Sequence, residues 1–393
     1  MPRVLLAFDK FKDALTAPEA VAAVTTALRE TQPGWTLDPA PLADGGEGFA
    51  SILTQAAKGR EVSVVATGPR GGRHPAGFGL VPVSSIPLPA RAQLQLSAVA
   101  NPGATVAVIE MAAISGLALL RQDQRDPWQA TTLGTGELMR AAADAGAGAI
   151  LLGVGGSATH DLGLGALVAL GLELRDAAGR AVAPPVPAEW PRTVRISGRL
   201  AAGLPPVYIA CDVTNPLLGP RGAATVYGPQ KGLRPADLAR LESESARLAD
   251  LLGQHCGQAP ALKDVPGAGA AGGTAFGLMT AAGAKLLPGF DLVSAWLDLE
   301  AKLAAADIVI TGEGRFDESS LEGKGPGAVA ACALALGKTV HVFAGQVTAV
   351  ARPGLALHTI TPAGVPLAQA LREATQNLAS SVRTVFARCI LPL

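Results

Sequence analysis

Apolar and polar positions come in blocks along the chain, and the block lengths predict alternating strands and helices. Residues 4–7 read as a short buried strand, 8–15 as a polar loop, and the next stretch to Ala27 or Leu28 as a helix. Thr16 with Glu19 three positions later is a capping-box pattern, and Pro18 suits the first turn. An extended segment at 37–42 leads through Ala43-Asp-Gly-Gly-Glu-Gly48 into a second helix over 49–57. Beyond Gly68-Pro-Arg-Gly71 a proline-punctuated, β-rich section runs to residue 107, which places a domain crossing near residue 67.

Farther on, Gly134-Thr-Gly-Glu-Leu138 opens a helix that stops at Gly146. Residues 149–152 form an apolar strand ending in Gly153-Val-Gly-Gly-Ser157, with a helix following to about residue 170. A strand at 207–211 delivers Asp212 into a polar, non-helical run, and 235–252 is an amphipathic helix. The last third reads as helix 292–304, strand 307–310, glycine loop 311–325, helix 328–336, strands 339–343 and 355–360, and a terminal helix. Both chain ends thus share βαβ grammar. The expected fold is α/β: a doubly wound Rossmann-like domain built from residues 1–66 plus 290–393, with a second α/β domain, 67–289, inserted.

Bulk properties narrow the partner. Lysine and arginine total 32 and aspartate and glutamate total 32, and aromatics make up only 4%, so neither a basic face nor stacking platforms for nucleic acid are expected. Cys211, Cys256, Cys332 and Cys389 are far apart, which argues against a disulfide framework or a structural zinc site. No apolar run reaches membrane-span length and the first one is too short for a secretory signal, so a cytoplasmic protein without a membrane partner is expected.

Glycine is in excess, 47 of 393 residues, and its placement raises the question of phosphate. The only Gly-Lys-Thr, Gly337-Lys338-Thr339, has Cys332 where a Walker motif needs glycine and it precedes a strand, so that mode is excluded. Gly153-x-Gly155-x-x-Ala158, with Glu173 twenty positions after its first glycine, matches a dinucleotide fingerprint and keeps an NAD-dependent oxidoreductase open. A second such string, Gly267-x-Gly269-x-x-Gly272, lacks a preceding strand and shows how readily this composition yields the pattern. The broader reading is an anion site at a helix N-terminus, with Ser157 and Thr159 adding hydroxyls; the alternative is close helix–strand packing. Asp44 and Glu47, the loop 311–317 with Glu313, Arg315 and Asp317, and Asp212 ahead of Asn215 supply charged groups at strand ends, functional or merely turn-forming. Phosphoryl transfer needs phosphate donors, carboxylates for Mg²⁺ and a carboxylate base, and each part is present.

Nine strings together resemble the bacterial glycerate kinase family, type I class. They are Asp9-Lys-Phe-Lys-Asp-Ala-Leu-Thr16, Ala43-Asp-Gly-Gly-Glu-Gly48, Val108-Ile-Glu-Met-Ala-Ala113, Thr135-Gly-Glu-Leu138, Gly155-Gly-Ser-Ala-Thr159, Cys211-Asp-Val-Thr-Asn-Pro-Leu217, Tyr227-Gly-Pro-Gln-Lys-Gly232, Pro266-Gly-Ala-Gly-Ala-Ala-Gly-Gly273 and Ile310-Thr-Gly-Glu-Gly-Arg315. The resemblance implies ATP-dependent phosphorylation of D-glycerate, giving 2-phosphoglycerate, in a two-domain α/β enzyme. Two departures stand out: His160-Asp161-Leu162-Gly163 where the family reads Asn-Asp-Gly-Gly, and a longer, proline-rich stretch at 83–101.

The resemblance does not assign roles, and the residues suggest them. Asp212 or Asp44 is the expected base, with Lys12 beside the reaction, and Lys10, Arg315 and Asn215 are expected on glycerate. Gly155, Gly156, Ser157, Thr159, Lys231 and Lys324 are expected on the phosphates of ATP, and Glu313 and Asp317 on Mg²⁺. A non-catalytic small-acid binding protein stays open beside the oxidoreductase, and the oligomeric state is left unassigned.

Overall fold

The structure, a computed structural model, describes residues 1–96, 103–321 and 325–387. Lys324 and Cys389 lie outside them. Thirteen strands occur among the described residues: β1 Arg3–Phe8, β2 Thr36–Pro39, β3 Arg60–Thr67, β4 Arg73–Pro82, β5 Thr105–Glu110, β6 Ala149–Gly153, β7 Leu172–Arg175, β8 Arg195–Gly198, β9 Val207–Ala210, β10 Lys285–Leu287, β11 Ile308–Phe316, β12 Thr339–Val347 and β13 Leu355–Thr359. The chain divides into two compact units, Met1–Ala43 with Val293–Leu393, and Asp44–Leu292.

The first unit carries a five-stranded, all-parallel sheet in the order β13-β12-β11-β1-β2. Val4 to Phe8 are wholly buried, as a central parallel strand covered on both faces must be. On one face Val4, Leu6 and Phe8 meet Val21, Val24 and Leu28 of helix Ala17–Thr31 and Leu378, Val382 and Phe386 of helix Ala374–Ala387. The capping box closes as its spacing predicts: Thr16 Oγ1 accepts from the Glu19 amide at 3.3 Å, and the Glu19 carboxylate accepts from the Thr16 amide at 2.8 Å.

Two expectations are corrected here. Residues 311–316 are not a loop but the second half of β11. Its pairing with β1 ends at Gly312, yet β12 continues alongside to Phe316–Val347 and so keeps the segment extended. Gly312 serves this packing, because a Cβ there would stand 1.9 Å from the Phe343 carbonyl oxygen. The expected helix 292–304 is also two helices, Gly289–Trp296 and Leu299–Ala305, broken at Asp298 with φ of +53°.

The second unit is built on a six-stranded sheet ordered β10-β9-β6-β5-β4-β3, in which β5, β6, β9 and β10 are parallel and the β3–β4 hairpin is antiparallel. A boundary near residue 67 would cut that hairpin at its turn, where Thr67 pairs with Arg73; the compact unit instead begins at Asp44. Three details bear on the site. The helix after β6 is only Leu164–Ala169 and starts well past Thr159. β7 and β8 form a separate two-stranded sheet. Helix Ala270–Ala282 opens with three left-handed residues, Ala271, Gly272 and Gly273. The amphipathic helix spans Leu238–Cys256, and the proline-rich stretch holds a turn at Val83–Ser85 and helix Leu88–Gln93 before residue 97 leaves the described range. No helix among the described residues is long and apolar enough to cross a membrane.

Candidate active site

In the second unit, strands β5, β6 and β9 run in one direction and their carboxyl ends deliver Glu110, the Gly153–Ser157 loop and Cys211-Asp212 to one edge. The Asp44–Gly48 loop lies over that edge. Gly45, at φ of +86°, accepts the Gly155 amide on its carbonyl at 2.9 Å, and a Gly45 Cβ would stand 3.1 Å from the Ala210 carbonyl oxygen. Asp44 is exposed and its Oδ1 accepts from the Gly46 amide at 3.1 Å; Glu47 is exposed too. Asp212 is half-buried, its Oδ2 held by the Phe290 amide at 2.9 Å near the start of helix Gly289–Trp296. Asp44, Gly155, Gly156, Ser157 and Asp212 therefore share one sheet edge.

The glycine loop differs from expectation in how it could hold an anion. It opens no helix: an antiparallel bridge pairs Gly116 with Ser157, through the Leu117 amide on the Gly156 carbonyl and the Ala158 amide on the Ser115 carbonyl. The Gly155 amide is taken by Gly45. The amides of Gly156 and Ser157 have no protein acceptor among the described residues, and Gly156 sits at φ of +69° and is exposed. Two successive unpartnered amides around a left-handed residue have the form of a backbone nest, an arrangement able to accept an anion where no helix N-terminus stands.

Behind the loop the chain buries charge. Lys231 is 2% exposed, and its Nζ donates to Ser157 Oγ at 2.9 Å and to the Thr159 carbonyl at 2.7 Å, so it does not reach out to a phosphate. Burial pushes its pKa down to about 7, against the pull of Asp161. Thr159 is also sealed, its Oγ1 without a partner. His160 is held neutral, pushed down to about 3 by burial and by the Lys231 charge, with Nε2 3.1 Å from Ser245 Oγ. Asp161 takes four donors: the Thr132 amide and hydroxyl and the Gly165 amide on Oδ2, and the Gly163 amide on Oδ1. Burial raises its pKa while these bonds lower it. The departures from the family pattern, His160 and Leu162, are thus both interior. The left-handed turn Ala271–Gly273 backs the same loop, since a Gly272 Cβ would meet the Thr159 carbonyl oxygen at 2.2 Å.

Two expectations for this unit change. Asn215 has both ends of its amide occupied, Nδ2 on the Arg221 carbonyl at 2.8 Å and Oδ1 under the Tyr227 hydroxyl at 2.6 Å, so it braces its own loop. Glu173, the expected ribose partner of a dinucleotide, stands on β7 outside the main sheet and is paired with Arg175. The Gly153 loop lacks both the helix and the acidic partner of that fingerprint.

The first unit presents a second group at the carboxyl ends of β1 and β11. The Asp9 amide donates to the Gly312 carbonyl at 3.0 Å, so Asp9 runs beside Glu313. Glu313 is pushed up to about 7 by burial and by the charges of Asp9 and Asp317, against a hydrogen bond with Ser320. Arg315 Nε lies 3.4 Å from Asp317 Oδ2 with its guanidinium mostly in solvent. Lys10 is half-buried and Lys12 exposed. Asp9 is the residue missing from the expected set, although the rule that singled out Asp212, a carboxylate directly after a parallel strand, also applies to it.

The glycerate kinase family model matches residues 4–390. The chain is 39% identical to the glycerate kinase of Bacillus subtilis (strain 168) and 36% identical to the glycerate 2-kinase of Escherichia coli (strain K12), each alignment covering 98% of this chain and 97% of the relative. It superposes on the crystal structure of a protein assigned as glycerate kinase 2 from Salmonella typhimurium LT2 with a TM-score of 0.74 at 37% identity, covering 99% of this chain and 98% of that one.

Proposed function

The chain belongs to the glycerate kinase family, and from that premise we propose that it transfers the γ-phosphoryl group of ATP to D-glycerate, giving 2-phosphoglycerate. The observation that supports this most is the nest at Gly156 and Ser157 on the same sheet edge as Asp44 and Asp212. It offers donors for phosphoryl oxygens beside a carboxylate for the acceptor's proton.

Roles are assigned from the chemistry of each group and its place at the strand ends. Gly156 and Ser157 hold phosphoryl oxygens. Asp212, oriented by the Phe290 amide, takes the proton of the attacking hydroxyl, with Asp44 the alternative. Lys10, Lys12 and Arg315 attract the glycerate carboxylate, for which a guanidinium has two parallel donors. Asp9, Glu313 and Asp317 suit Mg²⁺: they are hard oxygen donors whose mutual repulsion a cation would relieve. No three such side chains converge at ligand distance among the described residues, and Mg²⁺ asks only one or two protein carboxylates besides phosphate and water. When bound, the ion offsets phosphate charge.

The test is ADP release dependent on D-glycerate, with phosphorus and carbon NMR of the product. Phosphate on the C2 oxygen is the expected result. No glycerate-dependent release, or phosphate on C3, overturns the proposal.

A further inference from the structure

The Lys231–Ser157 contact joins residues 74 positions apart and is sealed from solvent. An ammonium has three donors and no acceptor, whereas a hydroxyl has one proton and two lone pairs. With the lysine charged, Ser157 Oγ can only accept from it. The serine's own proton must then go elsewhere, and no protein acceptor for it stands among the described residues. It sits beside the two unpartnered amides of the nest.

We propose that Lys231 is a positioning residue, whose buried ammonium fixes the Ser157 hydroxyl as a donor toward a phosphoryl oxygen held by the Gly156 and Ser157 amides. This rests on the reading of that loop as the phosphate site. It also gives the lysine a part in phosphate binding without contact. A neutral amine has a lone pair, so on deprotonation the serine can turn its proton inward to Nζ and the loop loses one donor. Asp161 and His160 are the titratable groups that act on the lysine. Asp161 favours the charged form, and His160 is neutral across the working range and brings no second titration. Arg125 lies against the neighbouring Gly232 through its carbonyl and Cβ, and its charge is not among those that shift the lysine. The lysine's depressed pKa puts the change near neutrality.

The test is the dissociation constant of ATP, without acceptor, for the full-length wild type, Ser157→Ala and Lys231→Met between about pH 6 and pH 9. Titration of ATP itself cancels in the ratio of variant to wild type. At pH 6 Ser157→Ala is expected to bind about tenfold more weakly, the equivalent of about 1.4 kcal/mol. That ratio falls toward one as pH rises through about 7. Lys231→Met, if it folds, weakens binding at pH 6 and its own pH profile shows no inflection there. A Ser157→Ala ratio that stays above one but flat with pH overturns the lysine's role and leaves the phosphate site standing. A ratio of one at every pH overturns the hydroxyl's part and with it the lysine's, since Ser157→Ala keeps both amides of the nest, whereas no measurable ATP binding by the wild type overturns the phosphate site itself.

Discussion

His341 Nδ1 and His358 Nε2 face each other at 3.0 Å on neighbouring strands β12 and β13, their rings stacked 8° from parallel with centroids 5.3 Å apart. One of the facing nitrogens must carry a proton and the other must be bare. Burial, with the partner's charge second, holds His341 down to about 4, and burial lowers His358 as well. A histidine whose folded pKa is depressed leaves the unfolded chain binding more protons below pH 6.5. Stability is therefore full above about 6.5 and lost as pH falls toward 4. We expect a fall of about 1–2 kcal/mol over that window, after discounting for partial exposure. His341→Phe should flatten the slope in urea melts taken from pH 7 to 4; an equal slope in the variant rejects the account.

Asp161 faces four donors and no acceptor. In Asp161→Asn, one amide N–H would be turned against the Gly163 amide or against the three donors on the other oxygen. The expected loss is about 2 kcal/mol of unfolding free energy. An unchanged urea midpoint would mean that this carboxyl is held protonated in the native state.

Gly272 combines φ of +67° with a place where a Cβ would come within 2.2 Å of the Thr159 carbonyl oxygen and 2.5 Å of the His160 Cα. Both strain and overlap act, so Gly272→Ala should cost about 3 kcal/mol. Because the overlap falls on the loop proposed to hold phosphate, turnover should drop in the fraction that remains folded. Normal turnover per folded molecule would show that the loop tolerates displacement.

Asp212→Asn keeps an oxygen for the Phe290 amide, so folding should be retained. If Asp212 is the base, kcat falls by about 10²–10⁴ with little change in KM. Near-normal kcat would pass the role to Asp44, and Asp44→Asn is the matching measurement.

These residues also show what a reader of the sequence could and could not see. The capping box at Thr16, the strand at the N-terminus and the place of Asp212 just past β9 depend on neighbours a few positions away, and these were legible. The second half of β11 was not, because Thr311-Gly-Glu-Gly-Arg315 is extended only by the long partner strand β12. Lys231 and Asn215 looked available for ligand because their polarity is visible in sequence. Their partners, at Ser157 and Tyr227, are fixed only by tertiary packing. The glycine fingerprint misled for a related reason: spacing records where glycines fall, not whether a helix begins after them.

The amide-to-carbonyl link between Gly155 and Gly45 ties the Asp44–Gly48 and Gly153–Ser157 loops together through main chain alone. Any exchange of Asp44, Glu47 or Ser157 for another side chain leaves that tether untouched. The register of the two loops is thus written in the backbone rather than in the side chains they carry.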